Sequence, residues 1–253
     1  KINTMTIKAL RAFALLILLA LIALPAKAEH ITIVTEHLPP YNYLEDGEAR
    51  GMSTEVVQAA LDAAGHTSEI RFMPWARAYQ IALTKPNTLV YSIARTAERE
   101  ALFAWVGEIA PFGASLYQRA DQPVIKITQL SDARLLQVGV YRGDAKEAVL
   151  RKNGFQNLQT TEDDHLNLRK LMLGRIDLIA IDDSVIGPLL AEEGIASNKV
   201  RRTLGIDEVS GHLYMAFHKE TDPDLVMSVQ RGLELIKENG QYEQILNQYL
   251  LIN

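Results

Sequence analysis

The amino-acid sequence predicts an α/β protein in two lobes, and three observations carry that expectation. Short β-type runs alternate with helical patterns from His30 onward, the signature of helices layered on largely parallel strands. The alternation begins again in the same style at residues 137–141 (QVGVY), which points to two units and not one continuous sheet. With 253 residues, 48% of them apolar, the chain has material for two medium-sized cores, since a single core stops growing at roughly 250–300 residues.

Residues 1–28 read as a segment apart. They carry Lys1, Lys8, Arg11 and Lys27 and no acidic residue, around an unbroken apolar run from Ala12 to Leu24 that ends in Pro25-Ala26-Lys27-Ala28. This is the pattern of a secretory signal peptide cleaved after Ala28, with Met5 as the start. A membrane anchor is the alternative, but a span needs about 20 apolar residues. There is no cysteine at the cleavage point to carry a lipid. The remainder is expected to be exported, soluble and more acidic than the overall net charge of −5.

Taken in order, His30–Thr35 forms the first strand. Leu38-Pro39-Pro40-Tyr41 has to be an extended loop, because each proline disfavours the helical region for the residue before it. Ser53 is placed to cap a helix whose apolar positions Val56, Val57, Ala60, Leu61 and Ala64 recur at helical spacing, with Gly65 as its left-handed terminator. A second helix starts at Pro74-Trp75 and ends before Lys85-Pro86, and Thr88–Ala94 follows as a strand. In the second unit, strand 137–141 leads through a Gly143 turn into a helix over 145–152 that Gly154 closes. A helix around 165–173, a strand over 177–181 and a helix over 184–193 complete that unit. Pro223 sits in the first turn of a helix reaching Glu238, Gly240 stops it, and a last helix runs over 242–250. Which lobe these closing helices cover is left open.

No enzyme motif stands out: GxSxG, P-loop, GxGxxG and HExxH patterns are absent. The six histidines fall at no metal-ligand spacing, and zero cysteines exclude disulfides, thiolate zinc, iron–sulfur clusters and a thiol nucleophile. An acidic chain without a Lys/Arg-rich stripe argues against a nucleic-acid partner. What remains is charge at strand ends and turns, where α/β proteins hold ligands. Glu36 follows the first strand, Arg99 lies in the turn after the strand ending at Ala94, Asp144 follows Gly143, and Asp182 ends a strand of the second unit. Each alone reads first as a solvated loop charge; the ordered set carries the information.

Thr35-Glu36 with Pro39-Pro40-Tyr41, residues 51–55 (GMSTE), 92–99 (SIARTAER), the aromatic segment 103–112, 137–143 (QVGVYRG), 174–182 (GRIDLIAID) and Asn239-Gly240-Gln241-Tyr242 follow one another along almost the whole chain after residue 29. This ordered series resembles the polar amino-acid family of periplasmic solute-binding proteins, the receptors of ABC importers. The resemblance implies lobes of roughly 29–117 plus 218–253 and 118–217 that close over a ligand about a two-strand hinge, in the periplasm. It implies that Arg99 forks onto a ligand α-carboxylate, that Asp182 receives the α-ammonium, and that Glu36 makes a second anionic contact. The physical basis is sound, since planar guanidinium matches carboxylate bidentately. Ser92 stands at the family's first hydroxyl position, while Trp75 and Tyr41 stand where it has aromatic walls, with core packing as their other reading.

Departures from the pattern are informative. Ala94 replaces a second hydroxyl, and Gly143-Asp144-Ala145-Lys146 replaces a Gly-Ser/Thr-Thr turn. Asp144 would oppose an anion at the following helix N-terminus unless it pairs with Lys146. Arg77 and Arg142 are extra cations available to a second acidic group. The expected ligand is therefore an amino acid or another small carboxylate, bound by a monomer without metal, cofactor or catalytic residue. A permease of an ABC importer, or a sensor kinase, would be the membrane partner. The alternative is an enzyme on the same fold, similar to the cyclohexadienyl dehydratases, with Glu36, Asp144 or Asp182 as general acid.

Overall fold

The structure, a computed structural model, describes residues 29–250; the expected signal segment 1–28 and its cleavage point after Ala28 lie outside them. Along the chain, β1 (His30–Thr35) leads through a short hairpin, β2 (Tyr43–Glu45) and β3 (Glu48–Arg50), into α1 (Met52–Ala63), β4 (Thr67–Phe72), α2 (Trp75–Thr84), β5 (Thr88–Ala94) and the long β6 (Phe103–Phe112). Next come β7 (Ala114–Arg119), β8 (Val138–Tyr141), α3 (Ala145–Lys152), β9 (Leu158–Thr161), α4 (Asp164–Met172), β10 (Leu178–Asp182), α5 (Ile186–Glu192) and β11 (Val200–Gly205). Finally, β12 (Gly211–His218), α6 (Pro223–Glu238) and α7 (Gln241–Leu250) follow.

The strands form two mixed five-stranded sheets, ordered β4-β1-β5-β12-β6 and β11-β7-β10-β8-β9. This is the two-lobed α/β architecture expected. Parallel pairing joins β4, β1 and β5 in one sheet and β10, β8 and β9 in the other. All seven residues of β5 are buried; helices on both faces allow such a continuously apolar strand. The chain changes sheets at Gly113 and returns between Gly205 and Gly211. Both crossings come earlier than the expected limits at 117/118 and 217/218, because β7 is wholly a strand of the second sheet and β12 of the first.

One expected cap is corrected. The first helix is capped at Gly51, not Ser53, whose buried hydroxyl finds no partner. Gly51 has φ +111, and a Cβ there would collide with the Tyr41 carbonyl oxygen. That carbonyl accepts from the backbone N–H of Ser53 at 2.9 Å, and Pro40 O accepts from Met52 N at 3.0 Å. The loop after β1 therefore supplies the acceptors that an N-cap side chain would otherwise offer, and is tied to α1. The closing helices cover the first lobe: α6 packs on α1 and β6. It buries Leu225, Val226, Val229, Leu233 and Ile236 on one stripe, each side chain contributing about 1.5–3 kcal/mol of apolar transfer.

Candidate functional site

The site is assembled where the ends of β1 and β5 in one sheet meet those of β8 and β10 in the other. Arg99 is buried in the turn after β5. Its Nη1 donates to Ala94 O at 3.2 Å, and its Nη2 donates across to Gly143 O of the second lobe at 3.3 Å. The guanidinium carbon lies 5.6 Å from the Trp75 ring centroid and 5.0 Å from that of Tyr79. The Trp75 indole N–H donates to the same Gly143 oxygen at 3.0 Å. One peptide carbonyl of the β8–α3 turn thus receives two donors from the first lobe. Prolines set this up locally, since Pro74 caps α2 and places Trp75 at its first position.

Behind that turn the second lobe holds a buried charge cluster. Asp144 caps α3, accepting from Lys146 N at 2.6 Å. Its other carboxylate oxygen lies 3.1 Å from Lys146 Nζ. The same ammonium donates to Asp182 Oδ1 at 2.7 Å and sits 5.6 Å from the Phe112 ring centroid. Burial alone would push Lys146 toward the neutral amine, but the charges of Asp144 and Asp182 outweigh it and the pKa is raised. Burial pushes Asp182 up, against the pull of Lys146. The pairing of Asp144 with Lys146 is the condition the sequence set for that turn to tolerate an acid.

Glu36, from the first lobe, faces this cluster. Its carboxyl is raised well above the ordinary range, by burial first and then by the Asp144 charge, with Lys146 opposing. Asp164, at the start of α4, is pushed up to about 7, again by burial first. These carboxylates do not converge on a point that would hold a metal ion, among the described residues.

The other predicted positions divide. Ser92 is the residue that β12 pairing skips, with φ +58, and its Oγ donates to Asn42 Oδ1 at 2.5 Å. Asn42 in turn donates to Glu36 O at 2.6 Å and Thr35 Oγ1 at 3.1 Å. Ser92 therefore holds the loop that carries Glu36. Ala94 enters through its carbonyl. Tyr41 is fully buried in the main core, its hydroxyl donating to Pro111 O at 3.1 Å. Arg77 is exposed on α2, and Arg142 forms an exposed ion pair with Glu162 at 3.1 Å; neither joins the cluster.

Lys146 was not among the sequence candidates, nor was Asp164. A signal for Lys146 existed: a cation in the first turn of a helix is disfavoured by the dipole, and carboxylates beside it offset that. Two cavities border the junction. One of about 380 Å³ lies between His37–Pro39, Phe72–Pro74, Tyr141 and Asp164, and one of about 430 Å³ is lined by Tyr79, Glu98, Arg99, Gly143 and Lys152.

Two α/β lobes meeting over buried charge, joined by two crossings, define a protein of the periplasmic-binding type. Residues 31–252 match the bacterial extracellular solute-binding proteins, family 3, and the chain belongs to that family. No curated protein matches the chain. Among solved structures it is similar to a histidine kinase sensor domain with similarity to periplasmic binding proteins, at TM-score 0.79 and 19% identity over 88% of this chain and 96% of that one. An ancestral arginine-binding protein bound to arginine matches at TM-score 0.75 and 20% identity, over 87% and 97%. The substrate-binding protein of an amino acid ABC transporter matches at TM-score 0.75 and 20% identity, over 87% and 98%. At these identities the likeness establishes the fold.

Proposed function

We propose that this protein is an exported, periplasmic receptor that captures a small carboxylate solute, an amino acid or a close relative of one, between its lobes. It then presents the closed form to the permease of an ABC importer. The observation that carries the reading is Arg99: buried at the lobe junction, flanked by two aromatic rings, with one N–H already reaching the opposite lobe and a cavity at its side. A guanidinium so placed anchors a carboxylate through charge-assisted bonds, each contributing about 1.5–3 kcal/mol. The same bonds reward closure, because the ligand oxygen and Gly143 O then share the cation. The arginine-binding and ABC-transporter proteins it resembles support the solute class; the sensor-domain likeness supports a membrane sensor kinase as the other possible docking partner.

A thermal-shift screen of amino acids and small carboxylates, followed by calorimetry, tests the reading. Arg99→Ala is expected to weaken the best ligand by about 100-fold or more, which is roughly 2.7 kcal/mol. Near-native affinity in that variant refutes Arg99 as the anchor. Turnover of prephenate or arogenate that is lost in Glu36→Gln would replace the receptor reading with the dehydratase one.

A further inference from the structure

We infer that the cavity of about 380 Å³ between the loop after β1 and the start of α4 is a second binding site, apart from the Arg99 cavity, for an organic cation: an ammonium group on an apolar body. The inference goes beyond the solute-capture reading and does not depend on it. The two cavities share no lining residue. Both lobes build this one. Leu38, Pro39, Phe72 and Met73 come from the first and Val185 and Leu189 from the second, so much of the wall is apolar. A cavity of this size holds a small organic molecule, and the rings of Phe72 and Tyr141 in its wall favour a cation.

The charge of the wall has one sign. Glu162, Asp163, Asp164 and Glu192 line it, with His37 and His165, and among the described residues no lysine or arginine does. Three of the acids are engaged: Glu162 with Arg142 at 3.1 Å, Glu192 with His165 Nε2 at 3.3 Å, and Asp163 as the cap that accepts from His165 N at 2.8 Å. Asp164 is placed differently. Its Oδ1 accepts from the Asn167 amide at 3.3 Å, while Lys146, the cation it feels, is bonded instead to Asp182 and Asp144. The Tyr141 hydroxyl is hydrogen-bonded to the Glu36 side chain and feels the Asp164 charge, so a buried acid of the first lobe backs the same wall. Burial pushes Asp164 up to about 7 against the pull of Lys146, as expected of an acid short of a near cation. An anionic occupant would face these carboxylates, and an uncharged one would leave Asp164 against apolar surface without a partner. An ammonium supplies that partner while its apolar body covers the walls.

Calorimetry at about pH 8, where Asp164 is ionised, compares phenethylamine with 2-phenylethanol and hexylamine with hexanol. The wild-type protein is expected to bind each amine about tenfold or more tighter than its alcohol, and Asp164→Asn to bring the two within about threefold. Arg99→Ala, which weakens carboxylate capture on the reading above, is expected to leave amine affinity within about threefold of wild type. Amines that bind no tighter than the alcohols, or a preference that survives Asp164→Asn, overturn the inference. Amine binding that falls about tenfold in Arg99→Ala assigns the cation to the Arg99 site and overturns the separate cavity. Should Asp164→Asn fail to fold, Met73→Trp, which fills the cavity from its first-lobe wall, is expected to abolish amine binding, and retained binding overturns the inference. Carboxylate capture is read separately, from Arg99→Ala with carboxylate ligands, so the two readings fail independently.

Discussion

Replacing Lys146 by methionine probes the energetic centre of the site. Methionine keeps most of the apolar stem but removes an ammonium that lies 2.7 Å from Asp182 and 3.1 Å from Asp144. Removing one member of a buried pair costs about 3–5 kcal/mol, because the remaining charge stays buried without its partner. For a chain of this size each kcal/mol moves Tm by about 2–4 °C, so the expected loss at neutral pH is roughly 6–20 °C. The loss must depend on pH. Without the ammonium, burial and the neighbouring Asp144 raise Asp182 further above its ordinary value of 3.8. A carboxyl whose folded pKa is raised contributes stability that is present below the unfolded pKa and is lost as pH rises through the folded one. Destabilisation is therefore smallest near about pH 4.5, where Asp182 binds a proton in the folded variant, and grows toward about pH 7.5. Scanning calorimetry of wild type and Lys146→Met at both pH values measures it. An equal loss at the two, or a loss of under about 1 kcal/mol at the higher pH, refutes the account of this pair as a buried, mutually dependent one.

Other consequences can be measured separately. Trp75→Phe keeps the ring beside Arg99 but removes the N–H donated to Gly143 O; losing about 1 kcal/mol of closure should weaken ligand binding about fivefold, and a change under twofold in calorimetry would show that this bond does not favour closure. Gly232→Ala places a Cβ against the Ala60 carbonyl oxygen where α6 crosses α1. Because that oxygen belongs to a helix backbone, urea denaturation should show a loss of about 1–3 kcal/mol, and neutrality would contradict the close approach. Asp164, pushed up to about 7, and Glu36, raised well above its ordinary range by burial, both bind protons more readily folded than unfolded. Their contribution is present at low pH and lost as pH rises toward and through about 7, so Tm should be higher near about pH 5.5 than near about pH 8. Asp164→Asn should flatten that slope in a thermal-shift series; an unchanged slope assigns it elsewhere.

Much of the fold was legible because it is written in local patterns. Thr88–Ala94 and Ala145–Lys152 are the strand and helix that the apolar run and the Gly143 turn predict, and Pro223 starts α6 as expected. Other elements had no local signature. β4 (TSEIRF) alternates exposed and half-buried positions and reads as a polar stretch; it is a strand because β1 pairs with it along its full length. Ser53 looked like a cap, but Gly51 is selected by the approach of the Tyr41 carbonyl from another segment. In the site, Arg99, Trp75, Glu36, Asp144 and Asp182 do come together at the junction. Arg77 and Arg142 are drawn to solvent, and the Tyr41 ring is buried in the core with its hydroxyl at Pro111 O, within reach of the Asp182 charge, since nothing in a residue's neighbours along the chain says which face of a lobe it will meet.

By itself the sequence determined the class: alternating strands and helices in two units, and charges set at strand ends where two such units can share a ligand. Only the tertiary structure decided the charge state of the cleft. Lys146 and Asp182 are 36 positions apart, and each alone is an ordinary surface residue type. Brought together from two elements and stripped of water, they are held as an ion pair.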